Sequence, residues 1–125
     1  MVKTAFDKSV RLIDSSDFST VFADAPIRVS SAELLILAKQ TGYDRPRLGI
    51  VVAKKHVKLA NQRNRLKRVI RESFRHQQHD LPNVDIIVLV RKSATGKDNK
   101  TLSRTLHKLW VKLTKKARSA VEPPT

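Results

Sequence analysis

Leu48-Gly49-Ile50-Val51-Val52, then a basic and apolar interval from Leu59 to Gln78, then Val84-Asp85-Ile86-Ile87-Val88-Leu89-Val90: this stretch decides the fold. β-Branched residues dominate the two flanking runs and Gly or Pro lies near each, which predicts strands. Within the interval, Leu59, Leu66, Val69, Ile70 and Phe74 fall on one side at about 100° per residue, the pattern of an amphipathic helix. The helix ends before Leu81-Pro82-Asn83, because proline disfavours helical geometry in the residue ahead of it. A strand-helix-strand unit results.

Upstream, Asp14-Ser15-Ser16-Asp17 offers acceptors for free backbone N–H groups, and Phe18, Val21 and Phe22 follow at helical spacing, predicting a short helix. Pro26 and the turn-forming Thr41-Gly42-Tyr43-Asp44-Arg45-Pro46 are boundaries. Between them Ser31 to Lys39 is ambiguous: a serine cap with Leu, Ala and Glu leans towards helix, while its short apolar run suits a buried strand. Downstream, Ser93 to Asn99 reads as a loop. Leu102, Leu106, Leu109 and Leu113 then mark a last helix with Asn99 or Thr101 near its cap, and Trp110 at the border of the stripe reads as core. The tail from Ala117 to Thr125 has no periodicity and is expected to be mobile. One domain over residues 1–125 accommodates all of this, with an ordered core over about residues 6–116.

Charge narrows the function. The chain holds 26 Lys plus Arg against 11 Asp plus Glu, a formal charge of +15. Such a surface attracts polyanions, and phosphate contacts would relieve its self-repulsion while releasing counterions. With 40% hydrophobic residues at regular spacings, the body is expected to fold. There is no cysteine, which excludes disulfides, thiolate metal sites and cysteine nucleophiles. The first residues lack an apolar signal region and no run approaches membrane-spanning length, so the expectation is a cytoplasmic protein without membrane attachment.

The basic residues concentrate between Lys54 and Arg75, where Glu72 is the only acid. On a helical projection Asn64, Arg68, Arg71 and Arg75 fall within roughly 60° of one another, opposite Leu66 and Val69. Guanidinium forks suit phosphate oxygens, and one glutamate cannot neutralise this ridge. The plain alternative is a solvated helix face. Membrane-surface binding would need the apolar side of the helix, which the flanking strands claim for the core.

Arg63-Asn64-Arg65, continued as Leu66-Lys67-Arg68-Val69-Ile70-Arg71-Glu72, resembles the signature helix of the bacterial ribonuclease P protein family. Gly49 to Lys55 resembles the strand and loop that lead into it, and Phe6, Lys8, Arg11-Leu12 and Phe18 to Phe22 resemble the family's N-terminal pattern. The resemblance spans about Phe6 to Lys116. It implies a small α+β domain in the order αβββαβα, a central sheet flanked by helices as in domain 2 of ribosomal protein S5. It also implies a left-handed strand-helix-strand crossover, against the usual preference. Ala32 to Ala38 then becomes strand.

The resemblance further implies a subunit without an active site, in a ribonucleoprotein that removes the 5′ leader from precursor tRNA. Catalysis would lie in the RNA, with Mg2+ held mainly by RNA phosphates and none by a protein motif. Arg63, Asn64, Arg65, Lys67, Arg68 and Arg71 are the implied contacts to the catalytic RNA, although Asn64 could instead cap local backbone. Phe18 and Phe22 match the aromatic pair of the cleft that receives the single-stranded leader, where aromatic faces stack on bases with little sequence preference. An i, i+4 phenylalanine pair can equally be plain core. Lys54 and Lys55 could serve either surface and are placed with the cleft. The partners expected are ribonuclease P RNA and precursor tRNA, with no obligate protein partner.

No Ser-His-Asp set, carboxylate pair or phosphate-cradling glycine loop is present, and His76 and His79 lack further ligands for a metal. A ribosomal or general RNA-binding protein is the competing reading, since size and charge would look alike.

Overall fold

The computed structural model describes residues 27–40 and 44–121, the last three as backbone only. Four strands, β1 (Ile27–Ser30), β2 (Leu34–Gln40), β3 (Arg47–Val51) and β4 (Val84–Val90), form one sheet in the order β1-β2-β4-β3. Among the described residues two helices, α1 (Ala60–Gln77) and α2 (Asn99–Val121), and a 3-10 turn over Lys92–Gly96 accompany the sheet. The α+β expectation holds. The helix expected around Phe18 lies outside the described residues.

β1, β2 and β4 pair antiparallel, whereas β3 and β4 pair in parallel with Leu48 opposite Ile86 and Ile50 opposite Val88. Parallel neighbours need a crossover, and α1 supplies it. β2 and β4 lie in the middle of the sheet, and β4 is apolar at every position except Asp85. That composition follows from burial on both faces, which replaces alternation by a continuous apolar run.

One face of the sheet carries Ile27, Val29, Leu34, Ile36, Ala38, Leu48, Val84, Ile86, Val88 and Val90 into the main core. α1 adds Leu66, Val69, Ile70 and Phe74, and α2 adds Leu102, Leu106, Leu109, Trp110, Leu113 and Ala117. Trp110 sits at the junction: its ring meets Phe74 edge-on at 6.1 Å, and its indole N–H donates to Ser73 Oγ at 2.8 Å. The pair fastens the two helices, and the donor bond removes the cost of burying an indole N–H.

Four expectations change. The propensity leaning towards helix at Ser31 to Lys39 gives way to β2, the strand that the family resemblance implied for Ala32 to Ala38. Ser31 Oγ accepts from the Glu33 and Leu34 N–H groups at 3.2 Å, so its capping chemistry closes a strand turn instead of starting a helix. Leu59 does not join the apolar stripe of α1; it is the extended N-cap residue and stays 63% exposed. At α2 the cap is Asp98, whose carboxylate accepts from the Thr101 N–H at 2.7 Å. Finally, Ala117 to Val121 continue α2 where an aperiodic tail was expected, because Ala117 is buried in the core and its carbonyl accepts from Gln40 Nε2.

The strand Ile27–Ser30 was legible but not located from the sequence: Ile-Arg-Val-Ser alternates and is buried, exposed, buried, exposed.

Candidate nucleic-acid interface

Packing Leu66, Val69, Ile70 and Phe74 inward turns the opposite face of α1 to solvent. Asn64, Lys67, Arg68, Arg71, Glu72 and Arg75 line one shallow groove on that face. The projected ridge is therefore a real surface. Among the described residues no side chain of Lys67, Arg68, Arg71 or Arg75 forms an ion pair or hydrogen bond. Asn64 is exposed and bonds to no cap position, so the capping alternative is not realised. Four cations with one glutamate beside them leave most of the guanidinium donors for an external anion.

Arg63 and Arg65 are placed differently. Arg63 Nη1 donates to the carbonyls of Val57 and Lys58 at 3.0 and 2.9 Å, tying the loop after β3 to the first turn of α1. Arg65 bonds Gln62 Oε1 at 2.9 Å and Asn99 Oδ1 at 2.7 Å, which links the start of α1 to the start of α2. Both act as braces and retain only part of their donor set for a ligand. No side chain caps α1 and its first turn holds no acid, so the positive end of the helix dipole adds to the local field.

Lys54 and Lys55 are exposed in the turn that leaves β3. The sheet face directed away from α1 and α2 carries a second apolar cluster, Leu37 and Ile87 with Leu35, Val51 and Leu89 packed against them. At its end Arg47 bonds Asp85 in a two-pronged pair at 2.7 and 2.6 Å, with side chains only 15% and 9% exposed. Phe18 and Phe22 lie outside the described residues. Among those described, no three His, Asp or Glu side chains group to hold a metal, and no helix is long and apolar enough to cross a membrane.

Asp98 is held below its ordinary pKa of 3.8 chiefly by the Thr101 side-chain and backbone hydrogen bonds, which outweigh the opposing desolvation, with lesser help from the Arg104 and Lys100 charges. Arg75, on the projected ridge but outside the motif that carries the resemblance, extends the groove. One feature went unremarked in the sequence. The outer face of α2 is also basic, and its signal was Lys and Arg recurring every three or four residues.

Comparison with known proteins identifies the family and the fold. The family model described as Ribonuclease P matches residues 6–114. The ribonuclease P protein component of Saccharophagus degradans is 50% identical over 121 residues, covering 95% of this chain and 90% of its own length. That of Pectobacterium atrosepticum is 48% identical over 110 residues, covering 88% and 92%. Among solved structures, the RNase P protein of Staphylococcus aureus superposes with a TM-score of 0.79 at 27% identity, covering 86% of this chain and 99% of that one. The Thermotoga maritima RNase P protein gives 0.72 at 33% identity, covering 80% and 94%. With the same fold, a family match over most of its length and half its residues shared with such relatives, this chain belongs to the ribonuclease P protein family.

Proposed function

We propose that this chain is the protein subunit of a ribonuclease P ribonucleoprotein, acting in the cytoplasm on precursor tRNA. Its outer α1 face binds the catalytic RNA and its second sheet face receives the 5′ leader. The observation that carries the reading is the row Lys67, Arg68, Arg71 and Arg75, which lacks internal partners and is opposed by Glu72 alone.

Each arginine offers a planar fork to two phosphate oxygens, so the row holds the RNA backbone without reading bases. Arg63 and Arg65 keep the approach loop and the two helix starts in fixed relation, which aligns the row. Lys54 and Lys55 add charge at the exit of β3. The apolar cluster around Leu37 and Ile87 offers a platform beside which Phe18 and Phe22 would stack on unpaired leader bases. Phosphodiester hydrolysis belongs to the RNA, where Mg2+ is held by phosphates. The protein screens backbone repulsion and strengthens substrate binding.

Reconstitution tests this. The chain is added to a bacterial ribonuclease P RNA at low Mg2+, and mature tRNA is measured. Stimulated cleavage is expected, with none from the protein alone. A chain that binds many RNAs equally and never stimulates cleavage would be a general RNA-binding protein instead. The leader role is read in the same assay. Phe22→Leu is expected to weaken holoenzyme affinity for leader-bearing precursor by about 1–3 kcal/mol per stacked base, with mature tRNA affinity unchanged. An equal loss for both substrates returns Phe22 to the core.

A further inference from the structure

α2 spans Asn99 to Val121 without a single acidic residue. At about 100° per residue, Lys100, Arg104, Lys108, Lys112, Lys115 and Arg118 occupy an arc of roughly 120°, centred opposite Leu102, Leu106, Leu109, Leu113 and Ala117. All six are exposed, and the five core residues are buried. None of the six makes a hydrogen bond or ion pair among the described residues. Lys116 differs: its ammonium donates to the Arg28 carbonyl at 2.6 Å and anchors the helix to β1. The helix thus separates one bonded lysine from six exposed cations without hydrogen bonds or ion pairs, of which Lys100 and Arg104 feel the nearby Asp98 carboxylate. With a rise of 1.5 Å per residue the row is about 27 Å long.

We propose that the outer face of α2 is a second track for RNA phosphates, engaged by the same folded RNA that lies on α1. The inference rests on the reading of the chain as a ribonuclease P subunit. Three observations favour RNA as the occupant. Cations repeat every three or four residues along the row, which suits an extended polyanion better than a compact acidic ligand. The row also neighbours the α1 surface. Glu72, Ser73, His76 and Gln77 of α1 meet Ser103 and His107 of α2 across a shallow groove, and Glu72 is its sole acid. One RNA fold can reach both helices without crossing a negative barrier. Moreover, the apolar stripe of α2 is spent in the core, and among the described side chains Val111, 42% exposed, is the one large apolar group on its outer side. Insertion into a membrane interface needs an apolar face that this helix does not offer.

The experiment uses the full chain and a bacterial ribonuclease P RNA transcript, with affinity followed from low to high monovalent salt. The triple variant K108Q/K112Q/K115Q is compared with its Lys→Arg counterpart and with R68A/R71A on α1. If each lysine meets a phosphate, the triple Gln variant flattens the log-log slope by about 2–3 and lowers affinity near 0.15 M salt by about 10- to 100-fold. The Arg counterpart stays near normal. Single Lys→Gln variants, each expected to flatten the slope by a little under 1, keep the result readable should the triple variant unfold. An unchanged slope in the α2 variants beside a flattened one in R68A/R71A overturns the second track and leaves the α1 reading standing. Unchanged slopes in both sets overturn the two together. Binding to phosphatidylglycerol vesicles that the α2 variants lose while RNA affinity holds also overturns the proposal, in favour of a membrane surface.

Discussion

Arg47 at the end of the sheet and Arg71 on the outside of α1 carry the same guanidinium in opposite surroundings. Arg47 is mostly buried and closes on Asp85 with two short hydrogen bonds. Arg71 lies in a groove with three other cations and no internal partner. Arg63 and Arg65 stand between them, each bonded to its own chain yet near the surface. A count of basic residues treats all four alike. The difference teaches that commitment to internal acceptors, more than charge, separates the arginines that hold this fold from those left for a ligand. An Arg with its donors engaged must break those bonds before it can meet a phosphate.

The largest effect is expected where commitment is greatest. Asp85→Ala strips the carboxylate from a mostly buried guanidinium, and removing one partner of such a pair costs about 3–5 kcal/mol. Urea denaturation measures it. A loss below about 1 kcal/mol would mean that solvent or other neighbours already satisfy Arg47.

Next comes the unpartnered row. R68A/R71A should reduce the salt slope of RNA binding by nearly 2 and weaken affinity by roughly 30-fold near physiological salt. Stability should move by no more than about 0.5 kcal/mol, since no internal bond is lost. A collapsed circular dichroism spectrum would make these residues structural and erase the contrast with Arg47.

Arg63→Ala sharpens the comparison from the middle. Its bonds to the Val57 and Lys58 carbonyls are partly in solvent, so about 1 kcal/mol of stability should be lost, with a smaller change in RNA slope than for R68A/R71A. The reverse pattern, full stability and a flatter slope, would move Arg63 into the unpartnered class.

The smallest effect concerns Asp98. Its pKa is depressed in the folded chain, so its contribution is present above the unfolded value of 3.8 and is lost as pH falls through the lower folded value. Asp98→Asn should therefore shrink the fall in melting temperature between pH 5 and pH 2. An unchanged acid profile would show that the α2 cap contributes nothing through charge.

Local pattern alone determined much of this protein. The apolar periodicity of Leu66, Val69, Ile70 and Phe74, the leucine stripe of the last helix and the β-branched runs around Gly49 and Ile87 each specify one conformation, because period and propensity agree. The same spacing put Arg68, Arg71 and Arg75 on one outward ridge before any coordinates. Segment Ser31 to Lys39 was undecidable locally, since Leu and Ala favour helix and only pairing with β1 and β4 makes it strand. Leu59 and Ala117 were misread for the same reason, as burial depends on what arrives from elsewhere in the chain. Which arginines are braces was also beyond the sequence, because Asp85 lies 38 residues from Arg47 and Asn99 lies 34 from Arg65. Periodicity says which way a side chain points; only the packed structure brings distant acceptors within hydrogen-bond reach and so decides which cations remain available to RNA.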